Sequence, residues 1–382
     1  MHGAAMAADM AAQPAVLAEL VSRRTEIVTA LAGPRPAGIV VVARGSSDYA
    51  AVFGRYLFEA VTGMPVALAA PSLQTLYGVE PRLENGLAIA ISQSGRTPEI
   101  ATVLARFAAA GARTIAITND SSSPLAEGAS VHLALGAGPE AAVPATKTFT
   151  VELAAMALIA ESLAQSDRSP FVAGDWQRLP AVVAAVLNDP EPAEQAAVEL
   201  GGARELVCIA RGYLVCVALE AALKLRETAG VHAEGWSAAD FRHGPVIVAR
   251  SDLPLLAISA AGPAAADVAE LAERVRQSGA PVLRLADEMA AELPFPAGLP
   301  ELLAAIPASV RAQQLTFAGR AVTRSRPGRA AGFEQGHPYD VDCPGGLRQR
   351  PRDARVTLRH STRKSGTSCT VSARDVGPGA WL

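Results

Sequence analysis

Lysine is nearly missing from this chain of 382 residues: of 34 basic residues only Lys147, Lys224 and Lys364 are lysine, and the rest are arginine. Against that background a retained lysine points to chemistry that guanidinium cannot do. An ammonium can shed its proton and meet a carbonyl, whereas guanidinium stays charged at any working pH. Aromatic residues are scarce too, at 4%, and the formal net charge is only −3. Near-neutrality argues against nucleic acid or an anionic membrane as the main partner. The four cysteines, Cys208, Cys216, Cys343 and Cys369, have no metal-ligand spacing, and the first two lie in apolar segments typical of buried thiols. No metal and no cofactor are expected, and a reduced, cytoplasmic setting fits best. Apolar runs such as Gly38 to Ala43 are too short to span a bilayer. The start, Met1-His2-Gly3, lacks the basic stretch and apolar run of a signal peptide. Neither a Gly-x-Gly-x-x-Gly fingerprint nor a Walker sequence occurs, which disfavours a nucleotide ligand.

What is present is a chain that is 50% hydrophobic, long enough for two or three domains with real cores. Helical periodicity runs from about Ala15 to Ala32, with Pro14 at its start. Short β-branched runs follow at Gly38–Ala43, Leu87–Ile91 and Thr114–Thr118, each ending in small polar residues and then a helical pattern. Strands that are apolar throughout and alternate with helices imply a parallel sheet covered on both faces. A linker and bridging helix are expected at about 165 to 185. A second alternating set then runs through Leu206–Ala210, a helix through Lys224, Leu255–Ser259, a helix near Pro263–Gln277, Val282–Leu285 and a last helix near Leu302–Ala318. The expected organisation is a first α/β domain over 1–165 with one N-terminal helix, a second over 166–322 with the bridging helix, and a tail over 323–382. The tail is rich in arginine, glycine, proline, serine and threonine without periodicity, and is expected to be disordered. It lacks the aromatic interleaving of a nucleic-acid binder.

The strongest chemical signal is Ser92-Gln93-Ser94-Gly95-Arg96-Thr97-Pro98-Glu99. A buried strand ends, small polar residues turn, and Pro98 opens a helix. Free backbone N–H groups there, with the hydroxyls of Ser92, Ser94 and Thr97, make a compact anion site suited to a monoester phosphate. An ordinary helix cap would use similar residues. A second strand-end pair, Ser46-Ser47, favours the anion site, because strand ends of an open parallel sheet converge on one crevice.

Four ordered motifs then carry a resemblance: Ala43-Arg44-Gly45-Ser46-Ser47, Ile91 to Thr97, Val143-Pro144-Ala145-Thr146-Lys147-Thr148, and Leu219 to Glu227. Over residues 6 to 320 the chain resembles the sugar isomerase (SIS) domain family, above all the isomerase half of glucosamine-6-phosphate synthase and the stand-alone deaminases built from two SIS domains. The resemblance implies two tandem SIS domains, each a flavodoxin-like parallel sheet between helices. It implies that Ser46, Ser47, Ser92, Gln93, Ser94 and Thr97 hold a sugar phosphate. It also implies that Val143, Ala145 and Thr146 line the sugar, although the Ala145 position often carries a hydroxyl in the family.

Lys224 and Glu227 are three apart on a helix and so share a face, and His243 follows in Asp240-Phe241-Arg242-His243-Gly244-Pro245. A surface ion pair and a capping histidine are the plain alternatives. Aldose–ketose interconversion needs an acid–base to open the ring, a carboxylate to carry a proton between C1 and C2, and an amine to meet the carbonyl. His243, Glu227 and Lys224 suit those three roles in turn. The resemblance further implies a homodimer in which His243 reaches into the neighbouring subunit's site. His232 and Glu234 also match the family motif and are assigned a structural role.

With Met1-His2 at its start, the chain is expected to lack the glutaminase domain of the synthase. The expected reaction is therefore glucosamine 6-phosphate plus water giving fructose 6-phosphate plus ammonia, or its reverse. Rival readings are a glutamine–fructose-6-phosphate aminotransferase-like enzyme, a deaminase of another amino sugar phosphate, a sugar–amino acid deglycase, and a non-catalytic phosphosugar sensor. The family's closing Leu-Ser-Lys-Val-Thr segment is absent. One synonymous choice of codons for Glu334 to Asp340, read a base later, gives Ser-Lys-Val-Thr-Arg-Thr, so the tail beyond roughly Val322 is expected to be out of frame.

Overall fold

The computed structural model describes residues 2–164 and 169–324. The arginine-rich tail, with Lys364, Cys343 and Cys369, lies outside the described residues. Two parallel five-stranded sheets carry the fold. The first consists of β1 (Ile39–Val42), β2 (Val66–Leu68), β3 (Leu87–Ile91), β4 (Arg113–Thr118) and β5 (Val131–Ala134), in the order β2-β1-β3-β4-β5. The second consists of β6 (Glu205–Ala210), β7 (His232–Ser237), β8 (Leu255–Ile258), β9 (Val282–Ala286) and β10 (Leu293–Pro294), in the order β10-β9-β8-β6-β7. Numbered within its own half, each sheet has the flavodoxin-like order 2-1-3-4-5. The chain therefore reverses direction across the sheet beside its first strand, and that switch point opens a crevice at the strand ends. β1, β3 and β8 are buried at every position, as expected for strands covered on both faces.

The N-terminal segment differs from the expected single helix. It forms α1 (His2–Ala11), α2 (Gln13–Ser22) and α3 (Arg24–Leu31). The backbone leaves helical geometry at Arg23 (φ −92°, ψ 3°), which brings Ile27 and Leu31 onto the same core as Leu17 and Leu20. The stretch Gly3–Ser22 has the length and composition to cross a membrane. It nevertheless buries Asp9 and Gln13 beside Met6, Met10, Leu17 and Leu20, so its inward face is bonded to the rest of the fold.

The first half continues through α4 (Ser46–Thr62), α5 (Pro71–Thr75), α6 (Pro98–Ala109), α7 (Pro124–Glu127) and α8 (Lys147–Leu163). Two helices, α9 (Ala173–Leu187) and α10 (Glu191–Glu199), bridge to the second half, which adds α11 (Val215–Lys224), α12 (Ala238–Arg242), α13 (Ala265–Gln277) and α14 (Glu301–Arg324). Every residue of α8 from Lys147 to Ala160 is buried, the mark of a helix enclosed on all sides. It packs against α4, α2, α3 and α14, while α11 packs against α4 and α14. One hydrophobic core thus runs from Leu17 through α4, α8 and α11 to Leu315, joining the two halves.

Candidate active site

Each phosphate-loop candidate follows a strand at the first sheet's switch point. β1 and β3 pair in register, Val42 opposite Ala90, so the loops after them leave the sheet side by side. Arg44 Nε donates to Glu99 Oε2 at 3.0 Å, tying the first loop to the opening turn of α6. Ser92 Oγ accepts from the Gly95 N–H at 3.2 Å and lies 3.4 Å from Thr97 Oγ1. Ser94 Oγ accepts from the Arg96 N–H. Gly95 has φ 63°, and a Cβ there would fall 2.1 Å from Ser123 Oγ; only glycine fits this turn. Gln93 and Ser94 remain partly open to solvent.

Ser46 and Ser47 open α4, where unpaired helical N–H groups favour an anion. Behind them the protein is polar and closed. Ser47 Oγ and Glu152 Oε1 are hydrogen-bonded at 3.0 Å. Glu220 of α11 comes near the Ser46 hydroxyl, with neither Glu220 oxygen hydrogen-bonded among the described residues. Glu220 Oε1 lies 3.4 Å from Lys224 Nζ, and Lys224 Nζ donates to Glu227 Oε2 at 2.5 Å. Polar and charged side chains therefore stand in succession between the first half's serine pair and the second half's Lys224–Glu227 pair.

Lys224 is 1% exposed, which overturns the surface-ion-pair alternative. Burial opposes its charge, but Glu220 and Glu227 outweigh burial and raise its pKa, so the resting side chain is an ammonium. Glu220 is pushed up to about 7, by burial first, with Lys224 pulling the other way. Glu227 borders solvent and can reach a ligand. Just beyond Lys224 the helix widens into a π turn over Leu225–Ala229, a local change often found at functional sites.

The sugar-side candidates divide. Val143 is exposed and Ala145 partly exposed. Thr146 is fully buried, its hydroxyl donating to Glu140 Oε1 at 3.0 Å and its carbonyl accepting from Gln313. Its side chain faces the core, because Glu140 caps α8 through the N–H groups of Thr146 and Thr148. His243 is exposed at the end of α12, ahead of Gly244 with φ 141°. Among the described residues no hydrogen bond or ion pair joins it to Lys224 or Glu227. His232 and Glu234 lie on β7 with exposed side chains, and Glu234 accepts from Trp236 Nε1.

Sequence reasoning missed Glu152 and Glu220. Their signal was a carboxylate inside an otherwise apolar helical run, Val151-Glu152-Leu153 and Leu219-Glu220-Ala221.

The SIS domain family model matches residues 36–162 and 199–294. The chain belongs to the SIS domain family. Curated relatives include glutamine–fructose-6-phosphate aminotransferases (isomerizing). That of Symbiobacterium thermophilum is 34% identical over 259 residues, covering 65% of this chain and 42% of the relative. That of Zymomonas mobilis is 30% identical over 256 residues, with the same coverage of 65% and 42%. The chain thus spans about two fifths of the length of these relatives. Among solved structures, a Silicibacter pomeroyi protein assigned to the phosphosugar isomerases has a TM-score of 0.74 at 29% identity, covering 83% of this chain and 97% of its own. Glucosamine-6-phosphate deaminase of Thermotoga maritima shares the fold, with a TM-score of 0.62 at 21% identity over 81% of this chain and 95% of its own.

Proposed function

We propose that this SIS-family chain is a phosphosugar isomerase that acts as an amino sugar phosphate deaminase, converting glucosamine 6-phosphate and water to fructose 6-phosphate and ammonia, or the reverse. The observation that carries the reading is the buried Lys224, paired with both Glu227 and Glu220 behind the switch-point loops. The isomerizing aminotransferase and the phosphosugar isomerase named among its relatives support phosphosugar isomerisation.

In this reading the two serine loops and the starts of α4 and α6 hold the phosphate and leave the open-chain sugar extending toward Glu227. Glu227 removes the proton from C2, and Lys224 stabilises the oxyanion that forms at the C1 carbonyl. That oxygen takes a proton from the substrate's C2 ammonium, and Glu227 returns its proton to C1. The resulting iminium at C2 adds water and expels ammonia, leaving the ketone. A charge-assisted donor in a dry site suits that developing negative charge. Because Lys224 is held as an ammonium, polarisation is favoured over Schiff-base formation. His243, exposed on its loop, is read as the ring-opening group for the site of a second subunit in a homodimer. The test is ammonia release from glucosamine 6-phosphate, wild type against Glu227→Gln. Release that Glu227→Gln abolishes supports the reading. Phosphosugar binding without turnover in either protein would overturn it in favour of a sensor.

A further inference from the structure

Glu152 is a buried titratable group that this mechanism leaves idle. It sits on α8, is 1% exposed, and its Oε1 lies 3.0 Å from Ser47 Oγ. A buried carboxylate is costly unless something needs it, and here its hydrogen-bond partner is a candidate phosphate ligand.

Ser47 has a single hydroxyl proton. If Glu152 is ionised, the carboxylate can only accept, so that proton points at Glu152 and the serine turns lone pairs toward the crevice. If Glu152 is protonated, it can donate to Ser47 Oγ, and the serine proton is free to point outward. A phosphate dianion carries no proton to donate, so it is bound well only in the second arrangement. We propose that Glu152 is a positioning residue that must hold a proton for Ser47 to donate to the sugar phosphate, so that binding of the dianion is linked to protonation of Glu152. This rests on the phosphosugar reading given above.

The surroundings agree. Burial first, then Glu220 of α11 and Glu140 ahead of α8, push Glu152 up to about 8 against the pull of the Ser47 bond. Glu220 is itself tied to Lys224, α4 contributes the Ser47 hydroxyl, and among the described residues α2, α3 and α14 form no ion pair with Glu152. At neutral pH most molecules therefore hold the proton, and it is lost just above.

The experiment uses glucitol 6-phosphate, an open-chain hexitol phosphate with no carbonyl to turn over, titrated calorimetrically from pH 7 to 9.5. The phosphate stays a dianion throughout. In wild type, Kd should weaken by up to about tenfold per pH unit above the titration. Buffers of different ionisation enthalpy at pH 8.5 should report proton uptake on binding. Glu152→Gln, whose amide donates to Ser47 at every pH, should bind with a flat pH profile and no uptake. Ser47→Ala should bind more weakly and also without the slope, which covers a failure of the first variant to fold. A flat wild-type profile without uptake overturns the inference alone, as does an unchanged slope in either variant. Absence of binding by wild type and both variants, all folded, overturns the phosphosugar reading and the inference with it.

Discussion

Lys147 Nζ lies 2.8 Å from Asp9 Oδ1, with the two side chains only 8% and 5% exposed. The pair joins α1 to the start of α8 and fixes the loop between them. Asp9 Oδ2 accepts from the N–H groups of Ala141 and Ala142, and Lys147 Nζ also donates to the Pro139 carbonyl at 2.6 Å. The sugar-side segment Val143–Thr146 is thus suspended from the N-terminal helix. Breaking a buried pair from one side leaves an uncompensated charge, at a cost of roughly 3–5 kcal/mol. Asp9→Ala should lose about that much in denaturant unfolding, and Asp9→Ala/Lys147→Met should recover part of it. A loss below about 1 kcal/mol would show that the pair does not hold the loop.

The second lysine, Lys224, is a different case, because its carboxylate neighbours hold it charged. An ammonium does not attack a ketone, so borohydride added with fructose 6-phosphate at pH 7 should leave the peptide containing Lys224 unmodified by mass spectrometry. Lys224→Met should lower ammonia release by at least about a hundredfold, the scale of losing a positioned charged donor. A reduced sugar adduct on Lys224 would instead make it a Schiff-base nucleophile.

Glu152 and Glu220 also set how stability follows pH. Both have folded pKa values above the ordinary 4.5, at about 8 and about 7. Between 4.5 and those values the folded chain binds more protons than the unfolded one, so stability falls as pH rises through that window. The two carboxyls therefore make Tm decline from pH 5 to pH 9. Glu152→Gln should flatten the decline and raise Tm at pH 9. An equal slope in that variant would mean that Glu152 is already ionised in the folded protein at low pH.

The element order of both halves was legible because the central strands are apolar at every position. The four strands that escaped notice, β2, β5, β7 and β10, are the edges of the two sheets. Edge strands are short or face water, so His232-Ala233-Glu234-Gly235-Trp236-Ser237 carries no apolar run to read. Lys224 and Glu227 were legible from their spacing. Glu152 and Glu220 were not, because only the packing of α8 and α11 against α4 turns them toward Ser47 and Ser46.

Register also exposes a repeat finer than element order. Ala43-Arg44-Gly45 after β1 has its counterpart in Ala210-Arg211-Gly212 after β6. Ile91-Ser92-Gln93-Ser94-Gly95 corresponds to Ile258-Ser259-Ala260-Ala261-Gly262, with Ser92 and Ser259 donating equivalently to Ile117 and Leu285. The second pair of loops keeps the Ser259 hydroxyl but has Ala261 in place of Ser94, and Tyr213 and Leu214 in place of Ser46 and Ser47. Glu301 fills the space, since a Cβ on Gly262 would fall 2.2 Å from its Oε2. Asp287 takes the Ala261 N–H at 2.8 Å. Two carboxylates repel a phosphate, so calorimetric titration should give one phosphosugar per chain. A stoichiometry of two would show that the second switch point also binds.

The cross-subunit role read for His243 has its own signature. Lys224→Ala and His243→Ala homodimers should each be inactive. If each site takes Lys224 from one subunit and His243 from its partner, a mixed dimer carries one intact site and one doubly damaged site. Random reassortment of equal amounts makes half the dimers mixed, so activity should return to about a quarter of wild type. Sites built wholly within one chain would each carry a defect in every combination, and mixing would restore nothing. Subunit exchange after brief denaturation, followed by the ammonia assay, separates the two outcomes. His243 is exposed at the end of α12, where a second chain could be reached.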